Sequence, residues 1–192
     1  NTIGMLNVAI GRQAAKCNTT GIQNTSVGHG ALCANTTGIN NTAIGDQSLK
    51  LNTTGHSNTA IGKFAALSYT KDGTIAIGYE AMCANYVGLY NTAISYQSMK
   101  NTNSAAGSYN TAHGYQALYT NTTGEKNTAI GYQSMFANTT GEYNAAIGTD
   151  SLRANTTGEQ NVALGHNSLF NNTFGNGQVA AGYKSLFNNT TG

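Results

Sequence analysis

The chain of 192 residues has no proline, and only 8% of its residues are charged. Nine Lys and Arg against seven Asp and Glu leave a formal charge of +2, and no basic run concentrates it. Contact with nucleic acid through phosphates needs a concentrated basic patch, so the sequence argues against that partner. No window is apolar and long enough to span a membrane. Cysteine is scarce as well. Cys17, Cys33 and Cys83 are odd in number and lack any C-x-x-C spacing, which argues against both a disulfide framework and a zinc site.

Low charge and a bias to Gly, Asn and Thr would also suit a disordered chain. Disorder, however, places no apolar residue at a fixed phase, and this chain does. The stretch Asn127 to Gly141 reads NTAIGYQSMFANTTG, and the rest is a set of variations on it. Its first glycine recurs as Gly11, Gly28, Gly45, Gly62, Gly78, Gly114, Gly131, Gly148, Gly165 and Gly182, with Ser95 in the same role. The spacing is 17 residues, except between Gly62 and Gly114, where it runs 16, 17 and 19. Near-copies of a unit too short to bury its own core mean a stacked array.

Positions are counted from this glycine. Two before it stands Ala or Ser. One before it stands an aliphatic residue in most copies: Ile10, Val27, Ile44, Ile61, Ile77, Ile94, Ile130, Ile147 and Leu164. Three after it is Ala or Ser, and four after it is usually Leu or Met. Ten after it, in the regular copies, is the glycine of NTTG. Glycine at two fixed phases disfavours a helix by roughly 1 kcal/mol per residue. Two short apolar bursts bounded by turn residues predict two short strands per copy.

The expected fold is all-β. It is a parallel β-solenoid of about eleven coils of 17 residues, each hydrogen-bonded to the next at about 4.8 Å. Ala and Ser let two backbone walls approach, while Ile and Leu or Met are expected to fill the core. The first glycine is expected to bend the chain sharply with positive φ. That bend would turn Ile130 inward and leave Tyr132 outside. The asparagines seven after and four before it are expected to stack as amide ladders.

Residues 1–192 read as one continuous array. It opens and closes in the same phase, like an excerpt from a longer fibre. The irregular part is about 63–113. There the fourth coil loses NTTG, Ser95 replaces glycine, two residues are inserted near Asn103, and His113 replaces isoleucine. Insertions in solenoids map to loops on one face.

At NTAIG (41–45, 58–62, 127–131), NAAIG (144–148) and NVALG (161–165), the chain resembles the head repeats of YadA-like trimeric autotransporter adhesins. It is also similar to the NTAIG…NTTG arrays of bacterial and phage tail-fibre-like proteins. The resemblance implies a left-handed β-roll, often trimeric, that projects from a cell or virion toward a surface.

Several rows invite a functional reading. Tyr79, Tyr96, Tyr115 and Tyr132 share one phase in consecutive coils and offer ring faces to glycans or a partner protein. Self-stacking that stiffens the rod is the plainer use of the same rings. A second aromatic phase holds Tyr119, Phe136, Phe170 and Phe187, and suggests a buried or subunit-facing stripe. Glu125, Glu142 and Glu159 form a carboxylate row that would attract Ca²⁺ if its side chains converged, or else splay into water. The NTT triplets at 18, 35, 52, 121, 138, 155 and 189 match glycosylation sequons and equally suit an Asn ladder.

Cys17 and Cys33 lie on adjacent coils, where a bridge is open if their Cβ vectors agree. His29, His56, His113 and His166 sit in different phases, and no catalytic spacing emerges. The expectation is therefore a non-enzymatic, extracellular rod on a cell surface or virion, partnered by itself as a homotrimer. Its turn residues would touch cell-surface glycans or proteins. A filament built by end-to-end stacking is the alternative, and an ice-binding solenoid a minor one.

Overall fold

The computed structural model describes residues 3–84, 88–100 and 107–191. The insertion near Asn103 lies outside them. The strands are β1 (Val8–Ile10), β2 (Thr25–Val27), β3 (Thr42–Ile44), β4 (Thr59–Ile61), β5 (Ile75–Ile77), β6 (Thr92–Ile94), β7 (Thr111–His113), β8 (Thr128–Ile130), β9 (Ala145–Ile147), β10 (Val162–Leu164) and β11 (Val179–Ala181). They form one parallel sheet in chain order, β1 to β11. Register follows the repeat: Thr128 pairs with Ala145, Ala129 with Ala146, and Ile130 with Ile147. It survives the shortened copy, where Thr59 pairs with Ile75, and the lengthened one, where Ile94 pairs with His113. The chain is a β-solenoid, and the sheet crosses the irregular region unbroken.

Among the described residues each coil has one strand, not the two expected. The second apolar burst stacks coil on coil but is not extended. Gln133 and Met135 hold φ values of 47° and 51°, and the same two phases are left-handed in every described coil. Hydrogen bonds between coils persist there in alternating directions. Gln133 N donates to Tyr115 O of the preceding coil at 2.9 Å, and Met135 N to Ser151 O of the following coil at 3.0 Å. Left-handed backbone costs an L-residue roughly 1–2 kcal/mol. It persists because stacking satisfies the groups it exposes.

The first glycine bends as expected. Gly131 has φ of 134°, and a Cβ there would lie 2.4 Å from the carbonyl oxygen of Gly148. Both the angle and the closeness of the next coil require glycine. Ser95 holds the role at φ 110°.

The core is thin. Its fully buried rows are alanine at mid-strand (Ala43, Ala60, Ala76, Ala93, Ala112, Ala129, Ala146, Ala163), Ala or Ser three after the glycine, and Leu or Met four after. Asparagine forms two further buried rows. In one, Asn138 Nδ2 donates to Asn121 Oδ1 at 2.8 Å and to Gly141 O at 3.1 Å, while Asn155 Nδ2 donates to Asn138 Oδ1 at 2.8 Å. In the other, Asn144 N donates to Asn127 Oδ1 at 3.0 Å, and Asn144 Nδ2 to Gly158 O at 2.8 Å. The expected ladders are present. They bond to backbone carbonyls as well as to each other, so they fix the corners as well as the stack.

The aliphatic row before the glycine is not core, contrary to expectation. Side chains alternate along a strand. With Ala129 inward at 0% exposure, Ile130 must face out, and it is 37% exposed. Ile10, Ile44, Ile61, Ile147 and Leu164 are exposed likewise. The bend at Gly131 does not turn Ile130 inward, and it shares the outside with Tyr132.

In the irregular region the ladders are replaced rather than lost. Tyr69 takes an asparagine position, fully buried, with its hydroxyl 3.0 Å from Asp72 O and 2.9 Å from Gly88 O. Thr74 replaces the other asparagine, and its hydroxyl donates to Asn91 O at 3.1 Å.

Replacing Asn138 by Ala strands Gly141 O and its two neighbours in the ladder. Each buried unmet group costs about 1–3 kcal/mol. Denaturant unfolding of Asn138→Ala is expected to show a loss of roughly 3 kcal/mol. Thr140→Ala, at the exposed neighbour, should stay within about 0.5 kcal/mol. Equal effects at the two sites would refute the ladder's role.

Candidate functional site

Because the coils stack in register, any side chain repeated at one phase becomes a row running along the solenoid. The outer sheet face carries two such rows. Thr25, Thr42, Thr59, Thr92, Thr111 and Thr128 are half-buried at the start of their strands, and the exposed aliphatic row stands at the strand ends.

The corner after the glycine carries the tyrosines. Ring centroids of Tyr79 and Tyr96 are 5.2 Å apart, of Tyr96 and Tyr115 5.3 Å, and of Tyr115 and Tyr132 5.2 Å, all stacked. Phe64 closes the near end edge-on at 6.3 Å. The structure brings the four tyrosines together, but their inner ring faces are spent on one another. Ring edges remain, together with the far face of Tyr132, while the Tyr79 hydroxyl is hydrogen-bonded to Glu80. Toward the start of the chain the same corner carries charge. The Asp46 carboxylate lies 3.0 Å from His29 Nδ1 and 3.6 Å from Lys63 Nζ. The His29 hydrogen bond chiefly holds the Asp46 carboxyl below its ordinary range.

The second aromatic phase is half-buried and also stacked. Tyr119 and Phe136 are 5.1 Å apart, and Phe170 and Phe187 likewise 5.1 Å. Arg153 stands between the two pairs, its guanidinium carbon 5.3 Å from the Phe136 centroid and 5.7 Å from that of Phe170. A third aromatic row was not singled out from sequence. Tyr90 stacks on Tyr109 at 5.6 Å, and Lys126 donates to the Tyr143 hydroxyl at 2.7 Å. That hydrogen bond raises the Lys126 pKa.

A polar row was missed too. Gln97 Nε2 donates to Glu80 Oε2 at 2.7 Å, Gln116 to Gln97 at 2.9 Å, and Gln133 to Gln116 at 2.9 Å. Arg153 Nε then donates to Gln133 Oε1 at 3.2 Å. The signal was glutamine recurring two after the glycine. Its left-handed backbone and half-buried side chains hid the ladder from a strand-based reading. Lys100 Nζ completes one end, 2.7 Å from Glu80.

Glu125, Glu142 and Glu159 stand in one row, the first two half-buried and the third exposed. Among the described residues, no group of three or more His, Cys, Asp or Glu converges as metal donors. Cys17, Cys33 and Cys83 are free thiols, although Cys17 N donates to Cys33 O at 3.0 Å. The sequon asparagines Asn35, Asn52, Asn121, Asn138 and Asn155 are fully buried with their amide nitrogens engaged, so a glycan on them is incompatible with the fold. The first Thr of the triplet is also used: Thr139 Oγ1 donates to Thr156 O at 2.9 Å. The second, such as Thr140, is exposed. The four histidines stand on separate coils. Among the described residues, no helix is long and apolar enough to cross a membrane.

No protein-family model, curated protein or solved structure matches the chain.

Burial alone would raise the Glu80 pKa, but hydrogen bonds from Lys100 and Gln97 outweigh it and hold the carboxyl below its ordinary value. A lowered carboxyl pKa stabilises the fold above the unfolded-state pKa, and that contribution is lost as pH falls through the folded-state value. The thermal midpoint of the wild type should therefore fall more steeply below the ordinary carboxylate range than that of Glu80→Gln. Parallel curves would mean the pair contributes nothing.

Proposed function

We propose that the chain is a non-enzymatic structural rod of an extracellular fibre, such as an adhesin head or a phage tail fibre. In this reading it assembles with further copies of itself through the outer face of the sheet. The observation that carries the reading is the aliphatic row. Ile44, Ile61, Ile130, Ile147 and Leu164 stand at the surface along one line, while the alanines between their strands and the core are sealed. Single exposed aliphatic residues need no explanation, but a row of them along one face, here interrupted by His113, marks an interaction surface. Full burial of an exposed aliphatic side chain is worth roughly 1.5–3 kcal/mol, so covering the two-fifths of each that is still exposed contributes about 1 kcal/mol, and a row of them would hold subunits together without any polar contact. Three copies would share this face around an axis parallel to the rod, which fits the trimeric assembly implied by the repeat resemblance. Rigidity along the rod comes from the amide, glutamine and ring ladders, which all run in that direction.

The adjoining threonine row supports a second use of the same face. Its hydroxyls and the neighbouring methyl groups repeat at the coil spacing of about 4.8 Å, a flat array suited to ordering water. Ice binding would need the face free, so the two readings exclude each other.

Sedimentation velocity over a wide concentration range tests them together. A discrete trimer is expected, and Ile130→Lys with Ile147→Lys should weaken it by about a hundredfold while leaving the β-sheet circular dichroism unchanged. A stable monomer would sink the assembly reading, and thermal hysteresis in that monomer would favour ice. Growth without limit would indicate end-to-end filaments.

A further inference from the structure

The tyrosine corner has a missing rung. Tyr79, Tyr96, Tyr115 and Tyr132 occupy consecutive coils, and His166 and Tyr183 resume the row, with centroids 5.5 Å apart. Between them stands Thr149. Asp150 N donates to Tyr132 O at 2.8 Å, and Asn167 N to Thr149 O at 3.0 Å, which sets the three coils directly over one another. Two coil spacings, about 9.6 Å, therefore separate the levels of Tyr132 and His166. A flat group touching both rings needs two contact distances of about 3.5–4 Å, roughly 7–8 Å, so the gap admits one such group and not two. The exposure agrees: Tyr132 is 49% exposed, against 38–42% for the other three tyrosines of the stack. The excess is the face that Thr149 leaves bare.

The other two aromatic rows have the same one-rung interruption, and each fills it with a cation. Arg153 lies between Phe136 and Phe170, and Lys126 between Tyr109 and Tyr143, with its Nζ 4.6 Å from the Tyr143 centroid. A one-rung gap in this solenoid thus admits a guanidinium between two rings. Among the described residues, no cation fills the gap over Thr149. The Thr149 hydroxyl makes no hydrogen bond among the described residues. Next to it, Asp150 pairs with Arg153 through Oδ1 at 3.1 Å, and a carboxylate has acceptor sites beyond one such bond.

We propose that the gap over Thr149, between Tyr132 and His166, is a binding slot for the guanidinium of an arginine side chain on a partner protein. A guanidinium is planar, so it fits the thickness. It is weakly hydrated, so it leaves water readily. A tyrosine face attracts a cation. A pyranose ring has a similar thickness, but both filled gaps of this chain hold cations. Thr149 stands two residues after Ile147, so the slot borders the aliphatic row, and its test reads ring signals rather than association.

Two measurements test it. The first supplies the group from within. Thr149→Arg should raise the thermal midpoint by a few degrees and shift the arginine Cδ protons upfield through ring currents, whereas Thr149→Leu should do neither. The second supplies it from outside. N-acetyl-arginine methylamide should move the ring signals of Tyr132 and His166 in a saturable way, and more strongly than N-acetyl-lysine methylamide. Thr149→Tyr, which completes the stack, should weaken that response about tenfold. An unshifted arginine in Thr149→Arg overturns the proposal. So does an undiminished response in Thr149→Tyr, or saturable binding of methyl β-galactopyranoside with none of the arginine derivative.

Discussion

Everything in this solenoid depends on how the corners dispose of buried backbone carbonyls. A coil of 17 residues with one three-residue strand has most of its backbone outside regular structure. Buried peptide groups must still be paired. The two asparagine rows do this. Each amide reaches a glycine carbonyl at the turn and a neighbouring amide or backbone N–H, so one side chain ties a corner and joins two coils. The glycine of NTTG is bound by the same arrangement: a Cβ on Gly141 would lie 2.5 Å from Asn138 Oδ1 and 2.4 Å from Gly158 O. Low charge and abundant Asn, Gly and Thr are therefore consequences of a fold stabilised by internal amides. Among the described residues, Asn167 Oδ1 and Gln178 Nε2 are the buried side-chain polar atoms without a partner.

Once corners are fixed, stacking turns sequence variation into longitudinal structure. A residue type that persists at one phase makes a ladder: tyrosine at the corner, glutamine beside it, phenylalanine one turn on. Where the type changes, the ladder either finds a substitute or stays open. Arg153 and Lys126 are substitutes. Thr149 leaves an opening. The same logic explains the tolerance of the irregular region. Tyr69 reaches both carbonyls that the two asparagines would have reached, Asp72 O and Gly88 O, and the sheet keeps its register across the 16-residue copy.

The sheet's two faces divide the work. Inward, alanine allows the two walls to approach until Leu and Met fill what is left. Outward, isoleucine is left partly exposed. A core this thin accommodates one row of small residues per wall, so the larger aliphatic row is forced outside. Isoleucine at a fixed phase looks like core in a sequence because hydrophobic periodicity reports burial by anything, including another subunit.

The repeat by itself determined the parallel stack, the register, the bends at glycine and the amide ladders. Each follows from identical residues meeting at one coil spacing, whatever the path of the chain between them. The rows of Tyr79 to Tyr132 and Glu125 to Glu159 were legible for the same reason. Only the tertiary structure decided how many strands a coil contains, because left-handed backbone at Gln133 and Met135 is invisible in residue types that usually avoid it. It also decided which side of the strand faces out. Inward direction depends on the separation of the two walls, and one chain's periodicity carries no measure of that distance.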